Sequence, residues 1–382
     1  MDLTLSDEQR LLRESAERFV IENFTADHRR KMGNDPLGYR PEIWKQFAEL
    51  GWLALPIGEE YGGLGGGAIE TSLLMEAFGR GLVSEPYLST VVIGAALVER
   101  CGTEAQKQEM LREISEGRLT LAFAHSERAA RFDLAHVGTT AREMPDGWRL
   151  DGAKIAVIDG GSASQFIVSA RLAGNNGGAG NLCLFLVPPG AGGLTLQDYS
   201  RLGGGRGCHL ELRDVRLPAD ALLGDDSADK LPAIEAVVDR AMAALGSEAV
   251  GIMQTLLDAT LEYTKIRKQF GRPLAANQVI KHRLADMAMQ TDEARSMALR
   301  ASLTVDAEPL ARSRAASAAK AKIGKCARFV AEQSVQLHGG MGVTEELDIG
   351  AYFKRLVAFD TLFGGSAYHY RRHAALRGRV QA

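Results

Sequence analysis

The chain has 382 residues, of which 46% are hydrophobic and 24% charged, so it can bury a large core and is not predominantly disordered. Its 45 Lys+Arg nearly balance its 48 Asp+Glu, which excludes a broad electrostatic surface for nucleic acid or an anionic membrane. Its 4 cysteines form no Cys-x-x-Cys pair, so the sequence indicates neither a disulfide framework nor a metal site.

The N-terminal segment bears on where the protein resides. Met1-Asp2-Leu3 is acidic rather than basic, and the apolar run over 86–98 is too short to span a bilayer. We therefore expect a cytoplasmic protein.

The first part of the chain has helical periodicity. Ser6 followed by Gln9 has the spacing of a capping box, and the apolar residues over 12–20 then recur on one face of a helix. The segments 69–79 and 90–101 are also predicted to be helices.

From about residue 118, short apolar runs bounded by turn residues replace the helical spacing, which predicts strands. Pro145-Asp146-Gly147 is a predicted hairpin turn, because Pro presets φ and Gly accepts a positive φ. The predicted strands are 119–124, 148–150, 155–158, 166–170, 182–187 and 209–212.

Longer helices follow the strands. The first is expected to run from 231 to about 270 and to stop at Gly271-Arg272-Pro273, a combination that ends helices. The remaining predicted helices are 278–305, 311–337 and 347–362, each long enough to belong to a bundle.

These patterns predict an α+β fold in three regions. An N-terminal helical domain covers 1–117, a middle β domain of barrel or sandwich type covers 118–225, and a C-terminal four-helix bundle covers 226–382.

Two strings in the third region carry a resemblance: Arg-Lys-Gln-Phe-Gly at 267–271 and Gln-Leu-His-Gly-Gly-Met-Gly at 336–342. Together with the length and the order of the regions, they make the whole chain similar to the acyl-CoA dehydrogenase family of flavoproteins. More narrowly, the segments 75–80, 120–127 and 352–356 look like the small subunit of bacterial pimeloyl-CoA dehydrogenases.

The resemblance implies a reaction and a set of partners. In this family a base removes the α proton of an acyl-CoA thioester while the β hydrogen leaves as hydride to N5 of FAD, which gives the trans-2-enoyl-CoA. It implies an FAD shared between two subunits, a homotetramer or a heterotetramer with a larger homologous subunit, and an electron-transfer flavoprotein as electron acceptor.

By the same resemblance, the third region supplies the cofactor contacts Arg267, Phe270, Gln278, Gln336, Gly339 and Gly340. Arg267 and Phe270 match positions that meet the flavin pyrophosphate and adenine from the neighbouring protomer, and a guanidinium can hold phosphate oxygens in two bonds. The glycine pair allows close backbone approach. The alternatives are a solvated arginine at a helix end, an ordinary helix-ending glycine pair, and a glutamine that caps a helix.

In the middle region, Phe123, His125 and Ser126 match the strand that lies along the flavin ring. Beyond this strand the chain departs from the family. The usual Pro-Gly-x-Gly-Ser-Asp is Arg-Ala-Ala-Arg-Phe-Asp at 128–133, and the usual Trp-x-Thr is replaced at 158–162. No flavin contact is carried over for these two segments.

The family's usual catalytic glutamate lies in a Tyr-Glu-Gly-Thr string, and here Phe363 occupies its place. A neutral aromatic ring cannot abstract a proton. Asp360 is three residues earlier, nearly one helical turn away.

A minority of the family places its base on the first long helix of the third region, before an arginine, and Asp239-Arg240 matches that pair. A carboxylate in an apolar helix is desolvated, which strengthens it as a base. Asp239 is therefore the candidate base, with Arg240 beside the thioester. The alternative is a structural Asp239 paired with a neighbouring helix or neutralised by Arg240. His125 and His338 are interpreted as packing or hydrogen-bonding residues beside the flavin.

Three functions remain open from the sequence. The first is a FAD-dependent acyl-CoA dehydrogenase subunit that uses Asp239 as its base. The second is a non-catalytic partner that completes the FAD site of a homologous catalytic subunit, which the missing glutamate favours. The third is a flavin oxidase or monooxygenase on the same scaffold. A dicarboxylyl-CoA substrate, suggested by the pimeloyl resemblance, would need a cation for its terminal carboxylate, and the candidates are Arg80, Arg240 and Arg295.

Overall fold

The computed structural model describes residues 4–33, 35–173, 179–344 and 346–378. Met1-Asp2-Leu3, on which the expectation of a cytoplasmic location partly rests, lies outside these residues. The predicted α+β order is confirmed: a helical region, then a β domain, then a helical region.

Among its described residues, the first region contains six α-helices and one π-helical segment, Leu88–Ala95, where an ordinary helix was expected. The predicted capping box is present, since the Gln9 amide donates to Ser6 Oγ at 3.2 Å and the Ser6 amide donates to Gln9 Oε1 at 3.0 Å. The helices are α1 (Asp7–Asn23), α2 (Ala26–Gly33), α3 (Pro41–Glu49), α4 (Ala68–Gly81), α5 (Ala96–Cys101) and α6 (Glu104–Ser115).

The β domain is a seven-stranded mixed sheet in the order β1-β4-β2-β3-β7-β6, with β5 paired to β4. The predicted turn joins β2 to β3, where Met144 pairs with Gly147. The strands are β1 (Leu121–Ala124), β2 (Thr140–Met144), β3 (Gly147–Ile158), β4 (Gln165–Ala173), β5 (Ala179–Val187), β6 (Leu194–Ser200) and β7 (Arg206–Leu217).

Two corrections apply to the predicted strands. The segments 148–150 and 155–158 are parts of one strand, β3, because a register shift rather than a turn separates them. β2 and β6 were not predicted, since most of their side chains are exposed or half-buried and they have no apolar run.

Within the part that the structure describes, the third region contains five α-helices: α7 (Leu231–Ile266), α8 (Gln278–Leu303), α9 (Pro309–His338), α10 (Ile349–Thr361) and α11 (Ser366–Gly378). α7 ends four residues before the expected position, because a short hairpin of β8 (Lys268–Gln269) and β9 (Arg272–Pro273) follows it.

α7 packs closely against α4 of the first region through two glycines. A Cβ at Gly79 would lie 2.1 Å from the carbonyl oxygen of Glu248, and a Cβ at Gly251 would lie 2.0 Å from that of Glu76. No larger residue fits at either position. This contact leaves another face of α7 free to meet the β domain.

Within the described ranges, no helix is long and apolar enough to cross a membrane. All four cysteines are buried and unpaired.

Candidate active site

A cleft lies between the β domain and the C-terminal helices. It consists of an outer cavity of about 160 Å³ and an inner cavity of about 40 Å³, and both are lined by His125, Ser126, Val238 and Phe363. The chain thus brings the end of β1 and the segment after α10 together. Phe123 lines the inner cavity.

His125 is held on the β-domain wall by buried polar groups. The fully buried Lys154 Nζ donates to Glu127 Oε1 at 2.7 Å and to Ser169 Oγ at 3.1 Å, and Ser169 Oγ lies 2.9 Å from His125 Nδ1. Because an ammonium can only donate, the Ser169 hydroxyl proton is left for Nδ1. Burial, and then the Lys154 charge, lowers the pKa of His125 to about 3. His125 is therefore a neutral imidazole whose proton is on Nε2.

Glu127 binds the far end of the loop that begins with the segment 128–133, which replaces the family's glycine-rich string. Its carboxylate accepts from the backbone of Gly138 at 2.7 Å and from the backbone and hydroxyl of Thr139 at 3.0 and 2.7 Å. Burial raises the pKa of Glu127, but the Lys154 charge and these hydrogen bonds outweigh it and lower the pKa to about 2. Glu127 is a structural anion rather than a base.

The same segment closes one side of the outer cavity. The Phe132 and Tyr368 rings are 5.4 Å apart, and the Tyr368 hydroxyl donates to the carbonyl oxygen of Phe132 at 2.9 Å. Phe132, Leu134 and Tyr368 all line this cavity. The segment is thus joined to α11 across the cleft.

Phe363, which the resemblance matches to the family's glutamate, supplies the opposite wall. Its backbone has φ +55°, which non-glycine residues seldom adopt, and Gly364 follows with φ +107°. A Cβ at Gly364 would lie 2.5 Å from Tyr368 Cδ1, so glycine is required there. The cleft therefore has an aromatic ring, and no carboxylate, at this position.

The structure does not bring Asp239 to the cleft. Its neighbours on α7, Val238 and Met242, line the outer cavity, whereas the 1% exposed Asp239 faces the helices behind it. Consecutive residues on a helix point about 100° apart, so a position next to a cleft residue need not face the cleft.

The Asp239 carboxylate is engaged on both oxygens. Arg312 Nε lies 3.1 Å and Ser313 Oγ 2.7 Å from Oδ2, and Arg372 Nη1 lies 3.2 Å from Oδ1. This geometry corrects the suggestion that Arg240 neutralises Asp239. It favours the structural alternative over the catalytic base.

The remaining carboxylates near the cleft are also engaged. Asp360 Oδ1 accepts from the backbone and hydroxyl of Ser366, and Asp133 Oδ1 accepts from the backbone of Ala135 at 3.0 Å. Asp133 lines the outer cavity but is exposed to solvent.

Sequence reasoning missed three polar residues of α11 that line the cleft: Tyr368, His369 and Arg372. Their spacing of one and three residues places them on one side of a helix, which was the available signal. It was not used because the predicted helices ended at residue 362.

A second site lies where α7 and α9 end, and we call it the FAD-side cavity because the resemblance assigns its residues to FAD. It is open, measures about 630 Å³, and is lined by residues that include Arg267, Gln336, Gly339 and Gly340. Among the described residues, no side chain or backbone group pairs with the exposed Arg267 guanidinium. Gly339 has φ +60°, which suits glycine.

Two predicted residues flank this cavity. Phe270 is fully exposed (101%) and has φ +54° at the tip of the β8–β9 hairpin, which is a costly place for an aromatic residue unless it meets another molecule. Gln278 is exposed at the start of α8, whose N-cap Asn277 makes no side-chain cap bond.

His338 is a packing residue in the wall of this cavity. Its ring stacks on Tyr263 at 4.3 Å, and its Nδ1 lies 2.8 Å from the carbonyl oxygen of Ser334. Burial lowers its pKa.

The predicted cofactor residues thus form two groups within one chain. Phe123, His125 and Ser126 belong to the cleft, whereas Arg267, Gln336 and the glycine pair belong to the FAD-side cavity, and the two cavities share no lining residue. An unpaired guanidinium, an exposed aromatic ring and bare glycine backbone suit the pyrophosphate and adenine of FAD. In contrast, the outer cavity of the cleft is about as large as a cavity that holds one benzene.

We expect three of the buried histidines to make the protein acid-sensitive. The pKa of His28 is lowered to about 4, that of His369 to about 4 and that of His125 to about 3, in each case mainly by burial. Between these values and 6.5 the unfolded state binds more protons than the folded state, so stability falls as pH drops from 6.5 to about 4. Burial raises the pKa of Glu85 to about 7, so this carboxyl stabilises the folded state as pH falls. It is one group against three histidines, and the net result is a loss of stability.

We expect the urea concentration at half-unfolding to fall steadily between pH 6.5 and pH 4. In the His28→Gln variant this pH slope should become shallower, because one titrating group is gone. The exposed His136→Gln is the control and should keep the original slope. A flat profile in the unmodified protein would contradict the expectation.

Comparison with known proteins gives three family matches along the chain. Models described as "Acyl-CoA dehydrogenase, N-terminal domain", "middle domain" and "C-terminal domain" match residues 6–118, 122–215 and 232–375.

Relatives and solved structures agree with these matches. The chain is 33% identical over 357 residues to the probable acyl-CoA dehydrogenase YngJ of Bacillus subtilis (strain 168), covering 91% of this chain and 92% of the relative. It is 27% identical to butyryl-CoA dehydrogenase from Megasphaera elsdenii, with a TM-score of 0.87 over 98% of this chain and 99% of that one. It is also 25% identical to a chain of the ChsE4-ChsE5 complex from Mycobacterium tuberculosis, with a TM-score of 0.85 over 98% of each chain.

Proposed function

The chain belongs to the acyl-CoA dehydrogenase family of FAD-dependent oxidoreductases that act on CH–CH groups, and from this premise we propose that it is the FAD-completing subunit of a larger acyl-CoA dehydrogenase. FAD, when bound, accepts the β hydrogen of the acyl-CoA as hydride. In this proposal a homologous companion subunit supplies the base that takes the α proton.

The contrast between the two cavities carries the proposal. The FAD-side cavity is open, and Arg267 has no partner among the described residues, so it is free to bind phosphate. The cleft is lined by Phe363, and its outer cavity is only about 160 Å³. The FAD-side cavity is therefore large and open enough to bind a ligand, whereas the cleft is not.

The alternative of independent catalysis through Asp239 has less support. To act as a base, the carboxylate would have to leave Arg312 and Arg372 and turn to another face of α7. Both guanidinium groups would then be left without their anion, which is costly for buried charges.

The assembly is proposed to pair this chain with a different, homologous subunit. Two observations support this pairing: the structurally similar ChsE4-ChsE5 is a complex of two proteins, and the chain resembles the small subunit of pimeloyl-CoA dehydrogenases. An electron-transfer flavoprotein as acceptor fits the family.

A dicarboxylyl-CoA remains a proposal for the substrate of the assembly. Arg80 pairs with Glu17 and Arg295 pairs with Glu76, so neither cation is available for a terminal carboxylate. For Arg240 no ion pair occurs within the described part of the chain. It is therefore the cation to test, by comparing pimeloyl-CoA turnover between Arg240→Gln and unmodified assemblies.

The proposal is tested by purifying the tagged chain twice, once expressed alone and once from its native cells. We expect little flavin in the chain expressed alone. In the native preparation we expect a second, homologous subunit, bound FAD, and bleaching of the flavin by an acyl-CoA from a panel of straight-chain and dicarboxylyl thioesters. A yellow homo-oligomer that an acyl-CoA bleaches without any companion would overturn the proposal.

A further inference from the structure

The corner formed by Phe363 and Gly364 is held by two buried donors. His369 Nε2 lies 3.0 Å from the carbonyl oxygen of Phe363, and Lys320 Nζ lies 3.0 Å from that of Gly364. A non-glycine residue seldom adopts a positive φ, so its surroundings must hold it in place. These two hydrogen bonds do so.

His369 is the end of a hydrogen-bonded chain that begins at Asp239. Arg372 Nη1 lies 3.2 Å from Asp239 Oδ1 and 2.8 Å from Ser317 Oγ, and Ser317 Oγ lies 3.4 Å from His369 Nδ1. We call these four residues the relay. It joins α7, α9 and α11 to the segment after α10.

The direction of each hydrogen bond in the relay follows from its chemistry. A guanidinium can only donate, so Ser317 accepts from Arg372 and gives its own proton to His369 Nδ1. The His369 proton is then on Nε2, where it donates to the carbonyl oxygen of Phe363. Each residue of the relay thereby restricts the orientation of the next.

We propose that Asp239 and His369 are positioning residues: through the relay they lock the Phe363 corner and keep its ring in the cleft, so that this chain's own cleft is closed to an acyl thioester. This inference rests on the proposed function, since it explains why catalysis needs a companion. It also gives Asp239 a role other than that of a base.

The first test measures the order of the Phe363 ring, using the isolated chain with 4-fluorophenylalanine at position 363. We expect one sharp ¹⁹F resonance in the labelled chain whose relay is intact. In the Ser317→Ala and Asp239→Asn variants we expect several resonances or a broadened one. Ser313→Ala is the matched control, because Ser313 binds the other oxygen of Asp239 and does not contact Arg372. If Ser317→Ala and Ser313→Ala gave the same spectrum, the claim that the relay orders the Phe363 ring would be overturned.

A conservative exchange at His369 separates positioning from simple packing. In His369→Gln the amide can still donate to Phe363 and accept from Ser317, so a single resonance should remain, whereas in His369→Leu it should split. A single resonance in His369→Leu would show that packing alone holds the corner. Neither measurement requires flavin, so failure here is distinct from failure of the proposed function.

The second test measures access to the cleft with butyryl-CoA as the probe. Removing the ring in Phe363→Ala should allow the chain to bind butyryl-CoA at least about tenfold more tightly, which corresponds to roughly 1.4 kcal/mol. Val343→Ala, an exposed residue near the FAD-side cavity, is the control. Equal affinities for Phe363→Ala and the unmodified chain would overturn the claim that the ring closes the cleft.

Discussion

Replacing Asp239 by alanine should lower the free energy of unfolding by about 3–5 kcal/mol, because it leaves two poorly solvated guanidinium groups without their anion. Arg312 and Arg372 both pair with Asp239, and Arg312 has no other ion-pair partner among the described residues. Urea unfolding of the isolated chain measures this change.

The exposed Asp258 on the same helix is the control. It accepts a hydrogen bond from the half-buried Gln254 one turn earlier, so Asp258→Ala should change the free energy of unfolding by no more than about 0.5 kcal/mol. If Asp239→Ala fails to fold, the milder Asp239→Asn should still unfold at a lower urea concentration than Asp258→Asn. An Asp239 variant as stable as the Asp258 variant would show that the buried ion pairs are not what Asp239 contributes.

Replacing Arg267 by methionine should weaken FAD retention by roughly a hundredfold or more. Each charge-assisted hydrogen bond contributes about 1.5–3 kcal/mol, a guanidinium can make two to a pyrophosphate, and 1.4 kcal/mol corresponds to tenfold. Methionine keeps most of the length and apolar area of the side chain but removes every donor. The measurement is the flavin bound per assembly, purified from native cells through a tag on this chain and dialysed against known FAD concentrations.

Lys268→Met is the matched control for Arg267→Met. Lys268 is the next residue, is likewise exposed and cationic, and does not line the FAD-side cavity. We expect its assemblies to retain flavin normally, while Arg267→Met assemblies keep the companion but lose FAD. Equal flavin content in the two variants would exclude Arg267 as the phosphate ligand.

These two predictions divide the site residues by the property they affect. Asp239 should change stability without a direct effect on flavin, whereas Arg267 should change flavin binding without an effect on stability. The resemblance assigned Asp239 to catalysis and Arg267 to cofactor binding, because each matched a family position.

Local features were predictable wherever neighbouring residues determine them. The capping box at Ser6 and Gln9 and the turn at Pro145-Asp146-Gly147 depend on backbone preferences and hydrogen bonds over three or four residues. The strands β2 and β6 were not predicted, because β2 is stabilised by pairing with β3, and β6 by pairing with β7, rather than by apolar side chains. α7 ended early because the two-residue turn at Phe270-Gly271 folds the chain back.

The sequence by itself determined the order of the three regions, the resemblance to a flavoprotein family, and the absence of glutamate at Phe363. Only the tertiary structure decided that Asp239 faces Arg312 and Arg372 instead of the cleft, and that Arg267 remains unpaired beside an open cavity within the described part of the chain. The reason is that hydrophobic periodicity indicates only which residues of α7 share a face. The groups that bind Asp239 on that face belong to α9 and α11, more than 70 residues away in the chain.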